Sequence, residues 1–165
     1  MNTSLYLKEF QKAADQLDKG LLSEKQIEVA VGVVLDSVCL KLYKKSWASG
    51  LQDPLTAESR IFFSIWVNDA TVEVQKISYN IHAFKLRYLK GYAIQSRQFA
   101  DVFRESFKAF EHQWPNVSVN YGPLTLMEGW IKLVENNLPR EVLSLANNFL
   151  AIEHLVDDAL LKFKK

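Results

Sequence analysis

The segment from Ala70 to Gly91 has the pattern that most constrains the fold predicted from this sequence. Its apolar residues recur three and four positions apart, as on one face of an α-helix: Val74, Ile77, Ile81, Phe84 and Tyr88. A second stripe at the same spacing is mostly polar: Lys76, Asn80, Ala83, Arg87 and Lys90. Gly91 follows a lysine and can end a helix in the left-handed conformation. The pattern therefore predicts an amphipathic helix with one buried face and one basic face.

Other segments show the same helical spacing of apolar residues. We predict helices at 4–18, 23–46, 57–67, 97–113, 124–135 and 140–163, with a loop at 49–54. Ser23 and Gln26 are spaced as a capping box, and Pro139 stands where proline is favoured at the start of a helix. The sequence thus predicts a mainly α fold, a compact bundle of six or seven helices in a single domain spanning 1–165.

Some of these segments are also compatible with strands. The run from Val29 to Leu35 is apolar throughout and rich in valine, which favours a buried strand as the alternative to a helix. The sequence IFFSIWV in segment 57–67 has high β-propensity as well. If 38–47 and 60–67 are strands, the fold is α+β. The alternating residues 117–121 are the best candidate for a short β element in either fold.

Composition indicates a soluble globular protein. Of the 165 residues, 48% are apolar and 24% are charged, which excludes an intrinsically disordered chain. Cys39 is the single cysteine, so an intrachain disulfide is impossible and a reducing compartment is expected. The first residues do not resemble a signal peptide, and the most apolar stretch, 27–42, is too short to span a bilayer. We expect a cytoplasmic protein without membrane association.

The sequence contains no recognisable catalytic or cofactor motif. GxSxG, GxGxxG and GxxxxGK[ST] are all absent. His154 has Asp157 and Asp158 three and four residues on, which is compatible with two metal ligands but more typical of a surface charge pair. Cys39 lies in an apolar run, as buried and unreactive thiols do. We expect no cofactor and no metal site, and an enzyme with an unrecognised acid–base or metal site is only the third hypothesis.

By elimination, the first hypothesis is a non-enzymatic helical interaction module, acting as a self-associating, adaptor, regulatory or structural subunit. Helical wheels leave several bulky apolar side chains off the core stripes, and a monomer seldom exposes a large apolar patch. The predicted partner contacts are Phe63, Leu86 and Leu89. Since a symmetric homodimer is the commonest assembly, the expected protein partner is a second copy of the chain.

The alternative hypothesis is binding of RNA or single-stranded nucleic acid through a basic face within residues 76–104. The net charge of +1 gives no long-range attraction to nucleic acid, but cations are concentrated in this part of the chain. Cations would contact phosphates and tyrosines would stack on bases. The residues predicted for these roles are Lys76, Lys85, Arg87, Lys90, Arg97, Arg104, Tyr88 and Tyr92.

Overall fold

The computed structural model of the chain describes residues 1–50 and 53–165; residues 51 and 52, in the predicted loop 49–54, lie outside the described residues. Its centre is an antiparallel sheet of five strands that lie side by side in chain order. The strands are β1 Glu28–Val34, β2 Ser37–Tyr43, β3 Arg60–Val67, β4 Lys76–Phe84 and β5 Thr125–Lys132. The α-helices are α1 Thr3–Asp15, α2 Lys19–Lys25, α3 Asp69–Glu73, α4 Ser96–Phe107, α5 Leu138–Ile152 and α6 His154–Leu161.

The fold is therefore α+β, and the prediction of a mainly α bundle of six or seven helices is wrong. Strands β1 and β2 occupy most of predicted helix 23–46, and β3 occupies most of 57–67. The predicted helix 124–135 is β5. The alternative α+β fold, with strands in 38–47 and 60–67, agrees with β2 and β3.

The amphipathic helix predicted from Ala70 to Gly91 is also wrong. This segment contains the end of α3, then β4, then a short 3-10 turn at Leu86–Tyr88. Ile77 and Ile81 point into the core as predicted, because an interval of four residues fits the period of a strand as well as that of a helix. Val74 and Tyr88, which the helix would bury, are 60% and 51% exposed.

The β1–β2 hairpin was missed because its turn has no usual sequence signal. Val34 pairs with Ser37, so the turn consists of Leu35 and Asp36 alone. Both residues have positive φ values, 49° and 65°, where hairpin turns usually carry asparagine and glycine. Ser23 lies inside α2 and does not begin a helix there.

Two predicted helices are confirmed, since α1 lies within the predicted segment 4–18 except for its first residue and α4 lies almost wholly in 97–113. The single helix predicted at 140–163 is instead two helices, α5 and α6, which together cover most of that segment. Residues 117–121 contribute only one isolated bridge, between Ser118 and Glu128. Among the described residues, no helix is both long enough and apolar enough to cross a bilayer.

The main core lies between the sheet and the helices. Alternate residues of β2, β3 and β4 point to this side and are fully buried, among them Leu40, Phe63 and Ile81. The Phe63 ring stacks on the Phe149 ring of α5, with centroids 4.5 Å apart and an interplanar angle of 7°. Trp47 meets the same Phe149 ring edge-on. Helices α1, α4, α5 and α6 contribute side chains to this core, so they form one layer on one side of the sheet.

Tyr79 fits into the sheet only because its cross-strand neighbour is glycine. Tyr79 of β4 pairs with Gly129 of β5, and its hydroxyl donates a hydrogen bond of 2.7 Å to the carbonyl of Pro115. A Cβ at position 129 would lie 2.3 Å from the Tyr79 hydroxyl oxygen. Because the Tyr79 side chain is fully buried and hydrogen-bonded, it cannot move away without breaking this packing.

Lys44 forms a buried ionic network that joins the end of β2 to α6. Its Nζ lies 2.8 Å from Oε2 of Glu153 and also donates to Asp157. The other oxygen of Asp157 accepts a hydrogen bond of 2.8 Å from the indole of Trp47. Burial lowers the pKa of Lys44, but the two carboxylates outweigh this effect, so its pKa is raised above 10.5.

We expect Gly129→Ala to lower the free energy of unfolding by about 1–3 kcal/mol, because it overpacks a rigid site. Gly32→Ala in β1 is the matched control, since a Cβ there meets no heavy atom within 4 Å. Urea unfolding of both variants measures the difference. Equal stabilities of the two variants would contradict this account of Tyr79.

We expect Lys44→Met to lower the free energy of unfolding at pH 7 by about 2–3 kcal/mol, because the buried Glu153 carboxylate keeps only the longer contact with Lys25, at 3.4 Å. Since the pKa of Lys44 is raised by folding, its stabilisation is complete below pH 10.5 and disappears as the pH rises through the folded-state pKa. The difference between wild type and variant in urea should therefore shrink above pH 10.5. Lys45→Met, which changes a 78% exposed side chain, should change stability by no more than about 0.5 kcal/mol.

Candidate interaction surfaces

The sheet face opposite the helices, which we call the uncovered face, carries a row of polar residues. Lys41, Ser64, Asn80 and Glu128 are successive cross-strand partners in β2, β3, β4 and β5. Neighbours in such a row are about 5 Å apart, so the four side chains form a line across the sheet, here called the polar row. Two apolar residues of the same face, Cys39 and Phe62, are buried but stand apart from the main core cluster.

Lys41 is the most unusual member of the polar row. Its side chain is only 9% exposed, and its Nζ lies 4.5 Å from the centroid of the Phe62 ring. It forms neither a hydrogen bond nor an ion pair with any residue in 1–50 or 53–165. Burial lowers the pKa of Lys41, and the charge of Arg60 lowers it further. Lys41 is therefore a nearly buried residue whose Nζ is not among the fully buried atoms, and the Phe62 ring is the closest group that the described residues place against that cation.

Arg60 supplies a second cation beside Lys41. Its Nη1 donates to the carbonyl of Ala57, and its guanidinium carbon lies 5.5 Å and 5.0 Å from the ring centroids of Phe62 and Phe84. Its Nε is buried and has no hydrogen-bond partner within the described parts of the chain. Lys41 and Arg60 thus present donors with unused hydrogen-bonding capacity on both sides of Phe62.

The opposite end of the polar row is the carboxylate of Glu128, which has hydrogen-bond donors from within the chain. Glu128 accepts hydrogen bonds from the side-chain amide of Asn80 at 3.1 Å and from the hydroxyl of Tyr121 at 3.4 Å. The amide oxygen of Asn80 is buried without a partner among the described residues. Three interstrand spacings, about 14 Å, separate Glu128 from Lys41. The two charges therefore cannot form an ion pair across the sheet.

His82 lies beside the polar row between two aromatic rings. Its ring centroid is 5.5 Å from that of Phe62 and 5.1 Å from that of Phe84. Nδ1 lies 3.3 Å from the carbonyl oxygen of Leu124 and 3.2 Å from the hydroxyl of Thr125. Burial lowers the pKa of His82, which favours a neutral ring at pH 7. Within the described residues no group of three or more histidine, cysteine or acidic side chains could hold a metal ion.

Two cavities lie over this face and share Val34, Lys41 and Arg60 in their walls. The first, of about 360 Å³, covers the polar row and includes the aromatic side chains of Phe62 and Trp66. The second, of about 440 Å³, lies between β1 and residues 53–56. Small-ligand sites have volumes in this range.

The second candidate surface is the outer edge of β1, the side that does not pair with β2. No strand or bridge of the described chain pairs with this edge. The residues from Val29 to Leu35 carry no charge, and Val33, Val34 and Leu35 are 50%, 43% and 94% exposed. Lysine, proline or a bulge, which often protect edge strands, is not found in this run. An apolar, unprotected strand edge therefore faces solvent.

The three residues predicted to contact a partner are buried in the main core and not on the surface. Phe63 and Leu86 are fully buried, and Leu89 is 3% exposed. All three belong to the main core, so a partner cannot reach them in the folded chain. A helical wheel places them off the core stripe, whereas Phe63 is in a strand and Leu86 is in a 3-10 turn, where a different periodicity decides which side chains are buried.

The structure does not gather the predicted nucleic-acid contacts into one basic face. Lys76 and Lys85 lie at opposite ends of β4, about 30 Å apart. Lys76 lies over the Trp130 ring, Lys85 pairs with Glu58 at 3.1 Å, and Arg87 covers the Tyr88 ring. Lys90 and Tyr92 follow the 3-10 turn, and Arg97 and Arg104 are on α4 in the helical layer. Nucleic-acid binding by this set stays a prediction.

Arg104 has a structural role that its position in the sequence does not reveal. Its guanidinium donates hydrogen bonds to the carbonyls of Leu126, Thr125, Tyr121 and Gly122, at 2.9–3.1 Å. These carbonyls belong to the start of β5 and to the loop before it. Arg104 therefore fixes this loop to α4 through Nε and Nη2, and Nη1 is the part of the guanidinium that these hydrogen bonds leave for a phosphate.

Sequence analysis did not identify the polar row or the edge of β1. Once 38–47 and 60–67 are treated as strands, the alternation in β2 places Lys41 on the face opposite Leu40 and Leu42. That alternation is the feature of the sequence that indicates a side chain on the face away from the core. The alignment of Lys41 with Glu128 depends on the registers of three strand pairs, which no local pattern specifies.

No protein-family model matches the chain, and comparisons with curated proteins and with solved structures find no significant match.

We expect Arg104→Met to lower the free energy of unfolding by about 2 kcal/mol, because several carbonyls lose a charged donor. Arg97→Met is the matched control, since Arg97 is exposed on the same helix. Thermal or urea unfolding of the two variants gives the comparison. If both variants are as stable as the wild type, the structural role assigned to Arg104 is wrong.

Proposed function

We propose that this protein is a non-enzymatic interaction module that binds a second copy of itself through the outer edge of β1. The observation that carries the proposal is the outer edge of β1, which no strand of the described chain pairs with, whose run from Val29 to Leu35 has no charge and whose last residues Val33 and Val34 are exposed. Such an edge offers backbone N–H and C=O groups that can form a further antiparallel ladder.

A second copy is the partner that this edge fits best. Two identical strands related by a two-fold axis are necessarily antiparallel, so each residue of the pair meets its counterpart reciprocally. The uncharged run avoids like-charge contacts, and a net charge of +1 produces little repulsion between two chains. Pairing would cover the exposed side chains Val33 and Val34 and extend the two sheets into one.

We propose the cytoplasm as the place where the module acts. The support is the single cysteine, Cys39, which is 4% exposed and forms no disulfide. Burial raises the pKa of its thiol, so it stays protonated at neutral pH. A chain that uses no disulfide is compatible with a reducing compartment.

Light scattering coupled to size-exclusion chromatography tests the proposed self-association. The wild type is expected to have a mass of about 38 kDa at micromolar concentration, twice the chain mass of 19.0 kDa. Val33→Lys is expected to shift the mass to 19.0 kDa, because a lysine on the edge opposes strand pairing. Its thermal unfolding should still be cooperative.

Val74→Lys is the matched control, since Val74 is a 60% exposed valine outside the strands. It should have the same mass as the wild type. A wild-type mass of one chain across the whole concentration range, or equal masses for both variants, would sink the proposal.

A further inference from the structure

We propose that the cavity over the polar row binds a small organic monocarboxylate with a flat apolar body. The carboxylate would bind Lys41 and Arg60, and the apolar body would lie against Phe62 and Trp66. This site is separate from the self-association proposed above, and each has its own test.

The first step of the argument is the isolation of Lys41. Removing an ammonium group from water is costly unless an anion or hydrogen-bond acceptors replace its hydration. Lys41 is 9% exposed, and the described residues supply it with only the face of the Phe62 ring. Glu128, at the other end of the polar row, is too distant to compensate it. A bound anion would supply the missing partner.

Two further polar atoms near Lys41 also lack a hydrogen-bond partner in the described chain. The Nε of Arg60 is buried and lacks an acceptor, and the Oδ1 of Asn80 is buried and lacks a donor. Asn80 is only 3% exposed, and both residues line the same cavity as Lys41. Since buried polar groups are usually hydrogen-bonded, these two unpaired atoms support a polar ligand in this cavity, although they lie beneath its surface. The ligand needs an anionic acceptor near Lys41 and Arg60 and can use a donor near Asn80.

The available donors fit a carboxylate better than a phosphate. Antiparallel strands use their backbone N–H groups within the sheet, so this face offers side-chain donors from Lys41, Arg60 and Ser64. One Arg60 nitrogen already binds the Ala57 carbonyl, which leaves the guanidinium poorly placed for a bidentate clamp. A phosphate brings a charge near −2 and three acceptor oxygens, more than these groups can satisfy.

The walls of the cavity define the rest of the ligand. The volume of about 360 Å³ admits a small molecule, and Phe62, Trp66 and Phe84 supply aromatic surface around Lys41 and Arg60. Glu128 at the far end would repel a second anionic group. The site therefore selects a monoanion with an aromatic or similarly flat body.

Isothermal titration with three naphthalene probes tests the ligand class. We expect wild-type protein to bind 2-naphthoate saturably with a dissociation constant below about 1 mM. The neutral 2-naphthamide should bind at least about tenfold more weakly, because it lacks the charge that pairs with Lys41. The phosphate monoester of 2-naphthol should also bind more weakly. This comparison requires no variant, so it does not depend on the folding of a mutant.

Lys41→Met tests whether the cation is responsible. The variant is expected to lose at least about tenfold in affinity for 2-naphthoate, whereas Lys45→Met, at a 78% exposed lysine outside the cavity, should bind like the wild type. The urea midpoint of Lys41→Met should not fall, because removing an unpaired buried charge relieves its desolvation. Lost binding would then not reflect lost folding.

Several results would overturn the proposal. These are the absence of saturable binding of 2-naphthoate, equal binding of the amide, tighter binding of the phosphate ester, or unchanged affinity in Lys41→Met. Light scattering of the same samples measures the oligomeric state, so a failure to bind 2-naphthoate can be told apart from a failure to self-associate.

Discussion

The stacking of Phe63 on Phe149 joins the sheet to the helical layer, and the remaining architecture depends on this contact. It attaches the middle of β3 to α5 with the two rings nearly parallel. Leu40 and Ile81 surround it from β2 and β4, so the large apolar residues of three strands point to the same side. The helices cover that side, and the opposite face of the sheet carries the polar row and the two cavities.

A comparison of two lysines shows what this arrangement means for function. Lys41 in β2 and Lys44 just after it are both 9% exposed. The chain supplies Lys44 with two carboxylates, from Glu153 and Asp157, and the result is a structural ion pair. Lys41 receives no carboxylate within the described residues. The two lysines therefore differ in their partners, since the described residues supply carboxylates to Lys44 and an aromatic ring to Lys41, and the proposed carboxylate ligand would fill that difference.

The uncovered face and the outer edge of β1 are neighbours. Val34 belongs to the exposed edge and also lines both cavities over the face. In a dimer paired through β1, the uncovered faces of the two chains would form one continuous surface, with a cavity on each side of the two-fold axis.

The sequence alone determined α1, α4 and most of α5. In these segments the apolar spacing extends over several turns without a run of β-branched residues to favour a strand, and Pro139 stands at the start of α5. It did not determine β4, where Ile77 and Ile81 are four residues apart and so fit both periods.

Only the tertiary structure decided the candidate sites. Lys41, Ser64, Asn80 and Glu128 are far apart in the chain, and the registers of three strand pairs bring them into one row. Whether Lys41 is an exposed cation or a buried one without a partner depends on how residues of other strands surround it. Local propensity cannot specify that environment, because it arises from long-range pairing and from the choice of which sheet face the helices cover.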